Sequence, residues 1–201
     1  MGKLNAGVIA VLVLLLAGCA NTSPPRDQSN ACSIFKEKRG WYDAAADSAE
    51  KHGISEGIIL SFMRQESSFV HDAKPPRKKI LFIIPGPRAS SAFGYAQAKK
   101  DTWAEYAREA NWGADRDDFR DAADFIGWYN ARSARSVGIS RRNAKHLYYA
   151  YHEGMTGYKR GTYKKKRWLQ QVAGKVASNA QMYDAQIAGC RGSLERKWFG
   201  F

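Results

Sequence analysis

Cysteine and proline are scarce in this chain, with 3 and 6 among 201 residues. So few of either exclude a disulfide-stapled mini-scaffold and a collagenous or proline-rich disordered chain. Acidic residues are also in short supply: 19 Asp and Glu face 32 Lys and Arg, a formal net charge of +13. That excess favours a polyanionic partner, whether nucleic acid, an anionic lipid surface or an acidic polymer of a cell wall. The apolar run Val8–Leu16 falls short of the ~20 residues a bilayer-spanning helix needs. The four histidines (His52, His71, His146, His152) and the cysteines show no metal-ligand spacing, so no metal site is expected. What is abundant is core material, 44% hydrophobic and 12% aromatic, enough for one packed domain.

Residues 1–18 read as a secretory signal, with Lys3 ahead of the apolar run. The run ends in Leu16-Ala17-Gly18-Cys19, which resembles the lipobox of bacterial lipoproteins. The resemblance implies that Cys19 is lipidated and heads the mature chain. Ala20 after it favours a protein tethered to the outer membrane, facing the periplasm. Residues 19–31 are polar and Pro/Ser-rich, the composition of a flexible tether, which leaves 32–201 as the globular domain. With Cys19 acylated, Cys32 and Cys190 remain at the two edges of that domain. Chain ends often meet in a folded domain and an exported protein encounters oxidising conditions, so a Cys32–Cys190 disulfide is expected. It would contribute roughly 4–5 kcal/mol in the chain-entropy model. Two unpaired thiols are the alternative.

The domain is mainly α by periodicity. Trp41 to His52 is closed by Gly53, and Ser55 caps a helix to about Phe69. Asp101, Asp118 and Ser140 each open a further helix, and a last one runs from about Lys164 to Ala188, ended by Gly189. In that last helix Trp168, Val172, Val176, Tyr183 and Ile187 are spaced for burial. One irregular insertion interrupts the pattern. Residues 74–89 carry prolines at both ends around β-prone Ile80–Ile84, which suits a short strand or a hydrophobic loop rather than a helix.

On the Ser55–Phe69 helix, Ile59, Phe62, Met63, Glu66 and Phe69 share one face, so a carboxyl sits among apolar neighbours. Desolvation there raises its pKa and prepares it as a general acid. A Glu at the stripe's edge paired with Arg64 or another base fits the same periodicity. The surrounding strings narrow the choice. Met63-Arg64-Gln65-Glu66-Ser67-Ser68-Phe69 resembles the Glu-Ser motif of soluble-lytic-transglycosylase-type (SLT-type) domains. Ser90-Ser91-Ala92-Phe93-Gly94-Tyr95-Ala96-Gln97 is similar to that family's Ser-x-x-x-Gly-Leu-Met-Gln motif, and Ala150-Tyr151-His152-Glu153-Gly154 to its Ala-Tyr-Asn-x-Gly motif. The resemblance spans roughly residues 40–185 and implies a lysozyme-like single domain of a divergent lipoprotein branch.

It further implies a murein lytic transglycosylase without metal or cofactor. Glu66 would act as the acid and then the base, and the Tyr151 hydroxyl would hold it in position. Ser90 would lie near the substrate's N-acetyl group, with Gly94, Tyr95, Gln97 and His152 around the sugar cleft. Tyr95 and Ala96 stand where the family has Leu-Met, and His152 where it has Asn. Asp72 and Glu153 are the candidates for a second carboxylate, though neither falls on a catalytic motif. Trp103, Trp112 and Trp128, with Tyr95, are candidates for stacking on sugars. A goose-type-lysozyme-like hydrolase and a non-catalytic peptidoglycan-binding scaffold remain alternatives. Binding of nucleic acid through Lys164–Arg167 conflicts with export.

Overall fold

The computed structural model describes residues 22–80 and 84–195. The signal segment and Cys19 therefore lie outside the described residues, as do 196–201. Among these residues seven α-helices follow in order: α1 (Ala31–Glu37), α2 (Trp41–His52), α3 (Glu56–Ser67), α4 (Lys100–Glu109), α5 (Phe119–Val137), α6 (Ala144–Lys159) and α7 (Arg167–Glu195). A 3₁₀ turn, Thr162–Lys165, joins the last two. Between α3 and α4, β1 (Arg77–Ile80) and β2 (Ile84–Arg88) pair antiparallel, Arg77 opposite Arg88 and Ile80 opposite Ile84. The Pro-rich insertion is thus a hairpin, with Ile80 and Ile84 facing each other rather than sharing one strand. The mainly α architecture expected from periodicity is what forms.

Helix α3 lies at the centre. It is buried on nearly all sides from Gly57 to Met63, as an apolar helix without a solvent face must be. Ser55 caps it by accepting from the Ile58 amide, and Asp184 of α7 adds a second anchor, accepting from the Gly57 amide (2.9 Å) and the Ser55 hydroxyl (2.8 Å). The crossing is close: a Cβ on Gly57 would sit 2.4 Å from Asp184 Oδ1 and 2.5 Å from the Ala180 carbonyl oxygen. Glycine at 57 is therefore what lets α3 and α7 approach.

Several boundaries differ from the periodic reading. Helix α4 is capped at Lys99, leaving Asp101 in its first turn. Helix α6 is capped by Asn143, whose side chain accepts from the His146 amide, not by Ser140. Helix α7 runs through Gly189 to Glu195 and buries Leu169, Ala173, Val176, Ala180, Tyr183 and Ile187, which turns Trp168 outward, 52% exposed. The described part of the tether also departs from expectation. Residues 22–31 are docked on the body: Asn30 caps α1, Gln186 binds Ala31 and Ser29, Gln28 Nε2 donates to the Ser68 carbonyl, and the Tyr183 hydroxyl donates to the Gln28 carbonyl. Polar side chains that suit a solvated linker here serve as partners for backbone groups. Cys32 and Cys190 form a disulfide that pins α1 to α7.

Candidate active site

Glu66 occupies the last turn of α3, and the chain leaves that helix through Ser68 and Phe69, both in the left-handed region (φ 51° and 60°). Gln97 is the third described non-glycine residue with positive φ (46°). All three lie within the first two motifs. Backbone held in this costly region marks a segment that the surrounding packing over-determines, as functional sites often are.

Aromatic rings wall in the carboxyl. Phe62, one turn before Glu66, packs edge-on against Tyr148 (5.3 Å between centroids) and Tyr151 (5.2 Å), and Tyr129 packs on Tyr151 (5.2 Å). Burial raises the Glu66 pKa to about 7, partly countered by a hydrogen bond from the Tyr148 hydroxyl. Arg64 instead donates to the Tyr183 hydroxyl (3.2 Å), so it is not the partner that the edge-of-stripe alternative needs. The result is a carboxyl able to hold or release a proton near neutrality.

The three motifs converge on one cleft of about 450 Å³, lined by Glu66, Ser90, Gln97, Tyr129, Tyr151, His152, Glu153 and Gly154 among others. Pro75 also lines it, so both roots of the β1–β2 hairpin stand at its edge. A larger hollow of about 680 Å³, beside Ser55, Arg141, Asn143 and Asp184, contains no motif residue. Gln97 closes its own loop, its amide donating to the Ala73 and Gly94 carbonyls (2.9 Å each). Ser90 Oγ accepts from the Ala92 amide (3.3 Å). Glycine is required at 94 because φ is +76° and a Cβ would lie 1.9 Å from the Arg116 carbonyl oxygen. The close approach is thus to Arg116, within the protein.

Helix α6 carries the third motif and breaks within it: Gly154 has φ 72° and ψ 160°, a kink that only glycine adopts at low cost. Just before the kink, Glu153 is nearly buried, its side chain 5% exposed. Burial alone would raise its pKa. Hydrogen bonds from Lys166 Nζ (2.7 Å), the Thr162 hydroxyl and His152 Nδ1 (2.9 Å) outweigh that and bring it down to about 2. Glu153 is therefore a fixed charge, whereas Glu66 is a titratable one.

A family model described as Transglycosylase SLT domain matches residues 7–190. The chain belongs to that family. No curated protein matches it. Membership brings with it the coarse activity class, lytic-transglycosylase-type action on peptidoglycan.

Within this SLT domain, some expected site residues are placed differently from the motif reading. The hydroxyl bonded to Glu66 is that of Tyr148, while the Tyr151 hydroxyl donates to the Ala96 carbonyl (2.6 Å) and ties α6 to the second motif. Residues 148 and 151 stand nearly one turn apart on the same face of α6, so helical spacing by itself does not separate them. Tyr95 does not reach the cleft. It is 2% exposed and packs edge-on against Trp41 (5.7 Å) and Phe119 (5.6 Å). Trp103 and Trp128 are likewise buried, at 8% each, and Trp103 donates to the Ala114 carbonyl. Trp112 is 90% exposed but lies outside the cleft lining. Asp72 is exposed beside His71. The contacts of Tyr148 with Glu66 and of Lys166 with Glu153 were not expected from sequence. An aromatic pair three apart in Tyr148-Tyr149-Ala150-Tyr151 was the available signal for the first. Among the described residues no cluster of His, Cys, Asp and Glu is arranged to hold a metal.

Proposed function

We propose that this SLT domain is a murein lytic transglycosylase that uses Glu66 as its one proton-transferring carboxyl. Glu66 in its acid form protonates the glycosidic oxygen between N-acetylmuramic acid and N-acetylglucosamine, and the C1–O bond breaks with the glucosamine leaving as an alcohol. The muramoyl N-acetyl group stabilises the charge at the anomeric carbon, with Ser90 beside it. Glu66, now a carboxylate, takes the proton from the muramoyl C6 hydroxyl. That oxygen closes on C1 to give the 1,6-anhydro product, so no water is consumed. Tyr148 orients the Glu66 carboxyl, and Tyr151 holds the second motif against it.

The observation that carries this reading is the contrast between the two carboxyls of the cleft. Hydrolytic glycosidases generally work with a pair, one of them free to act as nucleophile or base. Glu153 is committed to Lys166, Thr162 and His152 and stays ionised far below neutral pH, which leaves Glu66 to serve both proton transfers. Exposed Lys164 and Lys165 in the 3₁₀ turn, with Arg167 at the start of α7, favour a polymer bearing carboxylates.

Cys19 is proposed as the lipid anchor in the outer membrane, facing the periplasm. The test is to incubate the full-length chain, in detergent, with purified sacculi and identify released products by mass spectrometry, alongside Glu66→Gln. Anhydro-muropeptides from the wild type alone are expected. Reducing ends would place the chemistry with hydrolysis, and binding without release would place the chain among scaffolds.

A further inference from the structure

We infer that Trp168 is a saccharide-binding platform at the rim of the Glu66 cleft, stacking on the apolar face of a glycan sugar. This rests on the reading above and adds to it a recognition residue outside the three motifs. The half-exposed indole is the first observation, at 52% in the second residue of α7. Leu169 next to it is fully buried, so the helix commits its apolar face elsewhere and presents this ring outward. A large apolar side chain left in water is informative where something holds it in place.

Trp168 is held. Its ring lies against His152, centroids 5.1 Å apart and planes at 78°, and His152 lines the cleft. His152 Nδ1 donates to Glu153 (2.9 Å), and Glu153 accepts from Lys166 (2.7 Å), two residues ahead of the tryptophan itself. The chain of contacts closes on itself through the backbone between Lys166 and Trp168. Thus the buried carboxylate that takes no part in proton transfer fixes the cleft wall and the indole relative to each other. Trp112, the other described tryptophan in water, has no such tie to the cleft. A pyranose ring offers a flat patch of C–H bonds, and a fixed indole meets it with large contact area and little loss of side-chain freedom.

The experiment uses the full-length chain in detergent carrying Glu66→Gln, so that substrate is bound and not consumed. Oligosaccharides of alternating N-acetylglucosamine and N-acetylmuramic acid are titrated in by calorimetry. Trp168→Ala is expected to weaken binding about tenfold, whereas Trp168→Phe and Trp112→Ala stay within about threefold. Glycan should also shield from acrylamide a fluorescence component that Trp168→Phe lacks, a readout that a purely structural role would not give. Unchanged affinity in Trp168→Ala overturns the platform and leaves the proposed function standing. Absence of binding by the Glu66→Gln parent itself overturns both.

Discussion

Glu66→Gln should make the protein more stable, and only above a defined pH. The carboxyl titrates at 4.5 when unperturbed and near 7 in the folded protein, because α3, Tyr148 and Tyr151 remove it from water. A folded state that keeps its proton where the unfolded chain has lost it is stabilised by acid. Stability from this group is therefore full below about pH 4.5, declines between the two values, and stays reduced above pH 7. The loss amounts to about 3 kcal/mol. Gln carries no such proton, retains an acceptor for the Tyr148 hydroxyl, and nearly matches the carboxyl in volume. Urea unfolding of wild type and Glu66→Gln should give equal stabilities at about pH 4 and a gap of about 3 kcal/mol in favour of the variant at about pH 8.5. In thermal melts the same gap corresponds to roughly 6–12 °C. The other titrating groups are common to both proteins and cancel in the difference. A gap that does not change with pH would mean Glu66 is solvated as an ordinary surface carboxylate, and the acid-then-base role would lose its physical basis.

Glu153→Gln should behave in the opposite sense. Its folded pKa of about 2 lies below the unperturbed 4.5, so its stabilisation is present above 4.5 and lost as pH falls through about 2. The variant should be destabilised by about 3 kcal/mol at neutral pH, with the difference closing in acid denaturation profiles. Tyr148→Phe removes the hydrogen bond that lowers the Glu66 pKa, so the alkaline limb of the pH–rate profile should move upward while kcat falls. An unmoved limb would show that Tyr148 does not reach the carboxyl. Replacing both Cys32 and Cys190 by Ser opens a loop of 158 residues and should cost up to about 5 kcal/mol. Dithiothreitol should then lower the melting temperature of the wild type and leave the double variant unaffected.

Much of this site was legible in the one-dimensional pattern because local rules govern it. Glu66 on an apolar helical face follows from 3.6-residue periodicity, and Ser55, Asp118 and Gly53 cap helices through contacts within a few residues. Tyr95 was not legible as core. Its neighbours Trp41 and Phe119 come from distant helices, and a tyrosine beside an invading cleft reads the same as one beneath it. The docking of residues 22–31 was hidden for the same reason, since Gln28, Ser29 and Asn30 look alike whether water or the protein body satisfies their polar groups.

The residues by themselves determined the helical class, the central carboxyl and the order of the motifs, each written in spacings of three or four positions. Tertiary structure decided the division of labour among them: Tyr148 rather than Tyr151 at the carboxyl, Glu153 a fixed charge, Trp168 outside and Tyr95 inside. Those outcomes depend on burial and on partners far away in sequence, and the energy of a buried charge or ring is set by what surrounds it in space.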